Sequence, residues 1–314
     1  MERPLVSIVC VVYNHEPFLR KCLDGFVMQQ TNFSFEILIH DDASTDHSAD
    51  IIREYDAKYP DLFRPIYQTE NQYSKNVNIW TQIQFPRAKG KYIAICEGDD
   101  HWTDPLKLQK QIDYLESHPE CALCFHNAIL HWDNEGQPDS VFASIEERDY
   151  SGIELITKWY CSTASIVFKA SLKDGFSQLC KNHPLMKIGD RPLVTYCSKY
   201  GTVHGIPDIM SVYTKHIGGY TQFDAAKKTF EHARTWEEVG IALGKDVYDA
   251  VKQTFISFYL SALIRSFREK NAGIFFQSLY RGIMRHPLIG LRSLSKIPQE
   301  RKIRLAAIQH DDAS

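Results

Sequence analysis

The sequence lacks the features that mark several large classes of protein. No apolar run approaches the ~20 residues that a membrane span needs, since the longest one after the amino terminus, residues 255–264, contains serines and ends at Arg265. The first residues have no basic segment followed by a long apolar core and a cleavage site, so we expect no secretion signal. No Gly-x-Gly-x-x-Gly follows a predicted strand, which disfavours a dinucleotide-dependent oxidoreductase.

Charge and cysteine are also present only in modest amounts. The formal net charge of -3 gives no electrostatic reason to expect a nucleic acid as partner. The 8 cysteines are scattered through apolar runs of a 314-residue chain, which is too long to need disulfides for its stability. We therefore expect buried, reduced thiols and a reducing, cytoplasmic compartment.

What the sequence does contain is an alternation of strand and helix patterns. Residues 5–12 form a nearly continuous β-branched run, typical of a strand buried on both faces of a parallel sheet. The predicted elements are strands at 5–12, 35–40, 63–67, 92–96 and 121–131, and helices at 18–28, 48–59, 77–88 and 105–117, the last one capped by Asp104. This order predicts βαβ units, with irregular structure up to about 221 and mainly helical periodicity from 224 onward.

Acidic residues follow two of the predicted strands. Asp41 and Asp42 come after the second strand, and Glu97-Gly98-Asp99-Asp100 come after the fourth. Ligands of open parallel sheets bind outside the carboxyl ends of the strands, so both groups should face one crevice. Carboxylates together with diphosphate oxygens suit a hard divalent cation. Helix capping explains Ser44, Thr45 and Asp46 without any ligand, but it leaves the two preceding aspartates unexplained.

These segments together resemble the signature of the inverting family 2 glycosyltransferases of bacterial type. The matching segments, in order and spacing, are Tyr13-Asn14 after the first strand, residues 41–46, residues 89–94 leading into residues 97–100, and residues 102–105. The resemblance covers roughly residues 4–220. It implies an α/β fold of the GT-A type, in which a Rossmann-like, mostly parallel sheet is flanked by helices.

The resemblance, together with the helical periodicity from 224 onward, predicts a domain organisation. Residues 1–223 would form the GT-A domain, with residues 1–100 binding the nucleotide sugar and residues 101–223 forming the acceptor part. Residues 224–314 would form a helical C-terminal extension.

The resemblance assigns roles to residues of the donor site. Asp41 and Asp42 would contact the base and ribose, and Asp99 would bind Mg²⁺ or Mn²⁺, with Asp100 supporting it, because Glu97 stands where an aspartate is often found. The full set predicted to bind the donor is Tyr13, Asn14, Glu16, Asp41, Asp42, Asn76, Glu97, Asp99, Asp100 and Lys215. On the acceptor side the predicted residues are Trp102, Thr163 and Ser165.

Two later segments complete the predicted site. Asp190, in Ile188-Gly189-Asp190-Arg191-Pro192, resembles the carboxylate that activates the acceptor, and a helix start there would hold it in place and keep it ionised. The same aspartate can be explained as a helix cap alone. Lys215 and His216 resemble an element that folds over the diphosphate, with His216 as a second metal ligand or a structural histidine.

The predicted reaction is transfer of a sugar from a nucleotide-diphosphate sugar, with a uridine nucleotide the common donor in this family, to a hydroxyl of a glycan or lipid-linked glycan in surface polysaccharide assembly. The alternatives are a sugar-phosphate nucleotidyltransferase, which should have a glycine-rich basic loop after the first strand, and a non-catalytic protein of the same fold that binds nucleotide sugars. Residues 265–304 are rich in both basic and apolar side chains. They favour either peripheral contact with an anionic membrane or helices that dock on the catalytic domain.

Overall fold

The computed structural model describes residues 3–133, 137–186, 189–216 and 225–290. The chain divides into two compact units, residues 1–219 and residues 220–314. The division lies close to the boundary at 223/224 that the sequence predicts.

Ten strands lie within the described residues of the first unit. They are β1 (Val6–Val12), β2 (Phe35–Asp41), β3 (Ile66–Tyr67), β4 (Tyr92–Ile95), β5 (His101–Trp102), β6 (Cys121–Trp132), β7 (Ser140–Val141), β8 (Arg148–Asp149), β9 (Val167–Lys169) and β10 (Thr202–Lys215). Eight of them follow the order β3-β2-β1-β4-β9-β6-β10-β5, with β7 beside β6 and β8 beside β10.

The sheet is parallel over β3, β2, β1 and β4, as the alternating pattern predicts. Beyond β4 it becomes mixed, because β9 runs antiparallel to both β4 and β6. β10 is again parallel to β6. The carboxyl ends of β1, β2 and β4 therefore lie at the same edge, where the two acidic groups follow β2 and β4.

The helices of the first unit are α1 (Glu16–Val27), α2 (Ser48–Lys58), α3 (Phe85–Arg87), α4 (Lys107–Ser117), α5 (Gly152–Thr157), α6 (Lys173–Asn182) and α7 (Asp190–Cys197). α1 lies against one face of β1, because Leu19, Cys22 and Phe26 recur at helical spacing and join the buried cluster that contains Val6, Ile8 and Cys10. Both faces of β1 are covered, as the β-branched run predicts.

Two predicted helices differ from the structure. The segment predicted as a helix over 77–88 is a π-helical turn, Trp80–Gln84, that continues into α3. This wide turn precedes Pro86, which has no backbone N–H to donate. α4 begins at Lys107 and not at 105, because Asp104 Oδ1 accepts a hydrogen bond of 2.8 Å from Leu106 N and holds the chain in a turn.

The second unit is helical in its described residues. α8 (Ala226–Leu243), α9 (Lys245–Arg268) and α10 (Ala272–Leu279) are followed by a π-helical turn, Tyr280–Met284. Glu237, whose side chain is 4% exposed, accepts hydrogen bonds of 2.6 Å from Tyr259, Arg281 and Arg285. Two of the basic side chains in the stretch 265–304 are thus paired inside the unit, and residues 291–304 of that stretch lie outside the described residues.

All 8 cysteines are free and buried, which confirms the prediction of buried thiols. Within the described ranges, no helix combines the length and the apolarity needed to cross a membrane.

Candidate active site

The loops after β1 and β2 are fastened to each other by side chains that the sequence assigned to donor binding. Asn14 Oδ1 accepts a hydrogen bond of 2.7 Å from Thr45 N. Glu16 Oε2 accepts one of 3.1 Å from His47 N, and Glu16 N donates one of 3.0 Å to Asp46 Oδ2. Asn14 and Glu16 therefore hold the rim of the crevice in shape, and their contact with a donor stays a prediction.

The aspartate pair after β2 has two different roles. Asp42, only 1% exposed, accepts hydrogen bonds from Gln72 N at 2.7 Å and Tyr73 N at 3.0 Å. Asp42 therefore holds the neighbouring loop in shape, and its contact with the base or ribose stays a prediction. Asn76 ends that loop in the left-handed conformation, with φ of 63°.

Asp41 differs from Asp42, because its Oδ1 is buried and has no hydrogen-bond partner within the described residues. Burial raises the pKa of Asp41, and the hydroxyl of Ser44 partly offsets that rise. A buried acceptor without a partner is costly, so a ligand donor placed here would be well bound. Asp41 Oδ1 is therefore free to accept a hydrogen bond from a nucleoside, and that contact stays a prediction. Tyr13, at the end of β1, is 45% exposed.

Asp99 and His216 lie together although they are far apart in the sequence. The distance from His216 Nε2 to Asp99 Oδ2 is 3.0 Å, and His15 Nε2 lies 3.9 Å from the same oxygen. Burial alone would raise the pKa of Asp99, but the hydrogen bond from His216 and the nearby His15 lower it. The hydrogen bond to Asp99 raises the pKa of His216, whereas burial lowers the pKa of His15.

Asp100 positions its neighbours from inside the protein. It is 2% exposed, and its Oδ1 accepts a hydrogen bond of 2.9 Å from Thr214 N. Burial and the charge of Asp99 raise its pKa well above the ordinary value. Asp100 therefore fastens the end of β10, which carries His216, and we correct its predicted donor contact to this supporting role. The ammonium of Lys215 lies 4.4 Å from the centre of the Trp132 ring, so its phosphate contact stays a prediction.

Trp80 lies between Glu97 and the residue before Asp190. The indole Nε1 of Trp80 donates a hydrogen bond of 3.0 Å to Glu97 Oε1. The same ring lies under Gly189, where an added Cβ would come within 2.7 Å of Trp80 Cζ3. Burial raises the pKa of Glu97 to about 8, and the charges of Asp99 and Asp190 contribute to the rise. Burial and the neighbouring carboxylates thus both favour the protonated form of Glu97.

Asp190 opens α7 with its carboxylate held by short contacts. Arg191 N donates a hydrogen bond of 2.7 Å to its Oδ1, and Thr163 Oγ1 donates one of 3.3 Å to its Oδ2. Burial nevertheless raises the pKa of Asp190, against the lowering effect of the Arg191 N–H. The raised pKa reflects the cost of burying a carboxylate, and the Arg191 N–H at the helix start opposes that rise, so the role of the helix start in keeping Asp190 ionised stays a prediction.

Two of the three predicted acceptor residues belong to the core. Trp102 is 2% exposed and its Nε1 donates a hydrogen bond of 2.8 Å to Ala164 O. Ser165 is fully buried and donates one of 2.6 Å to Ser162 O. Both side chains thus support the core beneath this side of the site, and their contact with an acceptor stays a prediction. Thr163 is placed beside Asp190, which is compatible with its predicted position on the acceptor side.

Sequence reasoning missed His15 and Trp80 as parts of this site. His15 carried a usable signal, because it lies three residues after the end of β1 and so at the same edge of the sheet as residues 97–100. Trp80 carried none, since its contacts with Glu97 and Gly189 depend on tertiary structure.

Comparison with known proteins identifies the family of this chain. The family model for glycosyl transferase family 2 matches residues 7–176, more than half of the chain. The chain belongs to glycosyl transferase family 2. It is 39% identical over 219 residues to uncharacterised proteins of Mycobacterium bovis and Mycobacterium tuberculosis, an alignment that covers 68% of this chain and 60% of theirs. The chain therefore covers less than two thirds of the length of these relatives.

Another relative is the putative teichuronic acid biosynthesis glycosyltransferase TuaG of Bacillus subtilis, 30% identical over 123 residues, which are 39% of this chain and 46% of TuaG. Two solved structures share the fold at low identity. Staphylococcus aureus TarS in complex with UDP-GlcNAc has a TM-score of 0.52 at 14% identity and covers 88% of this chain and 91% of its own. The mannosyltransferase PcManGT of Pyrobaculum calidifontis, in complex with GDP-Man and Mn²⁺, has a TM-score of 0.53 at 14% identity, over 94% of this chain and 87% of its own. These likenesses confirm the predicted GT-A fold with C-terminal helices.

Proposed function

We propose that this protein is a metal-dependent, inverting glycosyltransferase that moves a sugar from a nucleotide-diphosphate sugar to an acceptor hydroxyl. The observation that carries the proposal is that the segment with Asp99, which pairs with His216, and the segment with Asp190 meet at one side chain. Trp80 contacts Glu97, two residues before Asp99, and Gly189, directly before Asp190. A carboxylate for the leaving-group side and a separate carboxylate for the acceptor side are what a single displacement requires.

In the proposed reaction Asp190 accepts the proton of the acceptor hydroxyl while that oxygen forms a bond to the anomeric carbon. The bond from this carbon to the diphosphate breaks, the nucleoside diphosphate leaves, and the anomeric configuration inverts. The raised pKa of Asp190 suits this role, because a general base works best when its pKa approaches the operating pH. Thr163 and the Arg191 N–H orient the carboxylate.

The side chains around Asp99 fit a divalent cation. A carboxylate oxygen and imidazole nitrogens lie within 4.8 Å of one another in this cluster. Asp99 and His216 would hold the ion, which supplies charge stabilisation for the departing diphosphate when it is bound. Asp100 contributes by fixing Thr214, two residues before His216.

The proposal also includes the base of the nucleotide donor, the kind of glycan synthesis and the cellular location of the protein. A uridine nucleotide is what the resemblance favours, and because fold neighbours were solved with UDP-GlcNAc and with GDP-Man, both bases should be tested. The relative named for teichuronic acid biosynthesis supports a glycan or lipid-linked glycan acceptor in bacterial surface polysaccharide assembly. The free, buried thiols support a reducing, cytoplasmic location.

Peripheral membrane contact is proposed for the part of residues 265–304 that the structure describes. Four side chains spaced by four residues, Phe276, Tyr280, Met284 and Leu288, are each at least 56% exposed. This spacing puts them in one line along the helical segment, a pattern that suits the boundary of a lipid headgroup layer.

The Asp99→Ala variant tests the donor site. We expect UDP or GDP to raise the melting temperature of the parent more strongly with Mn²⁺ than without it, because a ligand that binds only the folded state stabilises that state. The variant should keep the parent's melting temperature without ligand and lose the Mn²⁺-dependent increment. An increment equal to that of the parent would remove Asp99 from the donor site.

A further inference from the structure

His15 is held rigidly at the point where β1 passes into α1. The preceding residue, Asn14, has a φ of 55°, a conformation that asparagine tolerates better than most residues. His15 N donates a hydrogen bond of 3.0 Å to Ser48 Oγ, and His15 O accepts bonds of 2.9 Å from Phe18 N and Leu19 N. Hydrogen bonds on both sides therefore fix the position of the His15 backbone.

The His15 imidazole lies beside Asp99 and His216. His15 Nε2 lies 3.9 Å from Asp99 Oδ2, and the His15 and His216 rings are 6.2 Å apart at an interplanar angle of 84°. One ligand atom from each of His15, Asp99 and His216 lies within 4.8 Å of the other two. Metal bonds of about 2.1 Å put neighbouring ligand atoms about 3 to 4 Å apart, so the three side chains need to move only slightly closer together to share a single ion.

The neighbours of this cluster leave room for a ligand and support the rings. The side chains of the three residues are 13% to 21% exposed, so an ion would be reachable from solvent and from a diphosphate. Phe18 on α1 lies against His216, with ring centroids 4.9 Å apart. Gly98 leaves space for His15, because an added Cβ there would lie 2.8 Å from His15 Nδ1.

From this geometry we infer that His15 is a third protein ligand of the metal. Two imidazoles and one carboxylate would then form a site that favours first-row transition ions, including Mn²⁺, over Mg²⁺. Imidazole nitrogen binds first-row transition ions well, whereas Mg²⁺ prefers an all-oxygen environment. The inference rests on the metal site at Asp99 proposed above and extends it to ion selectivity. Of the two ions that the sequence predicts, Mg²⁺ and Mn²⁺, this inference favours Mn²⁺.

The test counts imidazole nitrogens on bound Mn²⁺ by pulsed electron paramagnetic resonance and measures affinity by titration. The full chain is used with Mn²⁺ alone, with Mn²⁺ and UDP, and with Mn²⁺ and GDP. We expect two coupled imidazoles in the parent and one in His15→Phe, which keeps a ring but has no ligand atom. Mn²⁺ affinity should fall at least about tenfold, and the preference for Mn²⁺ over Mg²⁺ should shrink.

The control is His47→Phe, the same exchange at a histidine whose side chain is 76% exposed, and it should match the parent. His15→Gln, which keeps a polar side chain at the position, serves if His15→Phe has a lowered melting temperature, and the same loss of one nitrogen is expected. One coupled imidazole in the parent, or two that persist in both His15 variants, would overturn the inference. So would a loss of nucleotide affinity with unchanged Mn²⁺ coupling, since that identifies His15 as a phosphate contact.

The Asp99→Ala variant separates this inference from the proposed function. If Asp99→Ala keeps the Mn²⁺ affinity of the parent, the metal site itself is misplaced and both proposals fail. If Asp99→Ala loses Mn²⁺ while His15→Phe retains both the affinity and the second nitrogen, only the role of His15 is refuted.

Discussion

At the scale of single residues, Lys107 is the charge that the fold accommodates least well. Its side chain is fully buried at the start of α4, where Nζ lies 3.8 Å from the centre of the Trp102 ring and has no hydrogen-bond partner in the described part of the chain. Burial lowers the pKa of Lys107 to about 7, and the nearby Cys96 and Cys124 partly offset this. His126 also faces this ammonium.

This lysine predicts a specific dependence of stability on pH. The pKa is about 7 in the folded protein and 10.5 in the unfolded chain, so between these values the unfolded chain binds more protons. The free energy of unfolding should therefore rise with pH in this window, by up to about 1.4 kcal/mol per pH unit, and be lowest below pH 7. Lys107→Met should remove this slope. Urea unfolding of both proteins between pH 6.5 and 9 measures it, and a difference between them that does not vary with pH would contradict the account.

Sequence patterns identify residues of this kind poorly. Lys107 follows an aspartate and a proline at a predicted helix start, where a lysine is normally solvated, and only the packing of α4 on β6 and Trp102 buries it. The same holds for Asp42, whose residue type and position match a ligand contact, although its oxygens are bound to the backbone of another loop.

At the scale of elements, the loop after β2 separates two aspartates that the sequence treats as a pair. We predict that Asp42→Asn lowers both the melting temperature and nucleotide affinity. The amide has only one oxygen, so it cannot accept hydrogen bonds from both Gln72 N and Tyr73 N as the two carboxylate oxygens do. Asp41→Asn should lower nucleotide affinity with little change in melting temperature, because Asp41 Oδ1 has no partner to lose within the described structure. Melting curves with and without UDP and Mn²⁺ compare the two variants. Equal effects on stability would show that the two roles are not distinct.

The first half of the sheet was predictable because its signals are local. β1, α1, β2 and α2 begin and end within about two residues of the patterns in the sequence, the precision expected of any boundary. The placement of β9 between β4 and β6 was not predictable, since strand order depends on contacts between residues far apart in the chain. The π-helical turn at Trp80–Gln84 was likewise invisible to helical periodicity.

At the scale of the whole molecule, the second unit offers a test of membrane contact. We expect the full chain to sediment with anionic vesicles at low salt and less at high salt, because each Lys or Arg near such a surface contributes roughly 1 kcal/mol that salt screens. Replacing Phe276, Tyr280, Met284 and Leu288 by serine should abolish sedimentation without altering nucleotide binding. Ile241→Ser is the control, since Ile241 is 53% exposed on α8 and outside this line. Absence of vesicle binding by the parent at low salt would refute membrane contact.

The location of the candidate site was predictable where it depends on the order and direction of the strands. Acidic residues after β2 and β4 had to share an edge, and Asp99 and Asp190 were proposed for the site because their residue types and order resemble the family signature. Trp80 was missed because its contacts with Glu97 and Gly189 arise only in the folded chain. His15 was missed although its position after β1 indicates the same edge of the sheet.

The central claim is that Asp190 is the base of an inverting transfer, and the Asp190→Asn variant tests it most directly. The measurement is the rate of sugar transfer from the donor identified by thermal shift, with the anomeric configuration of the product determined by nuclear magnetic resonance. We predict an inverted product, a rate at least about 100-fold lower in Asp190→Asn, and unchanged affinity for the nucleoside diphosphate, because the amide keeps the size of the carboxylate but cannot accept the proton. Transfer within tenfold of the parent rate, or a product with retained configuration, would contradict the account.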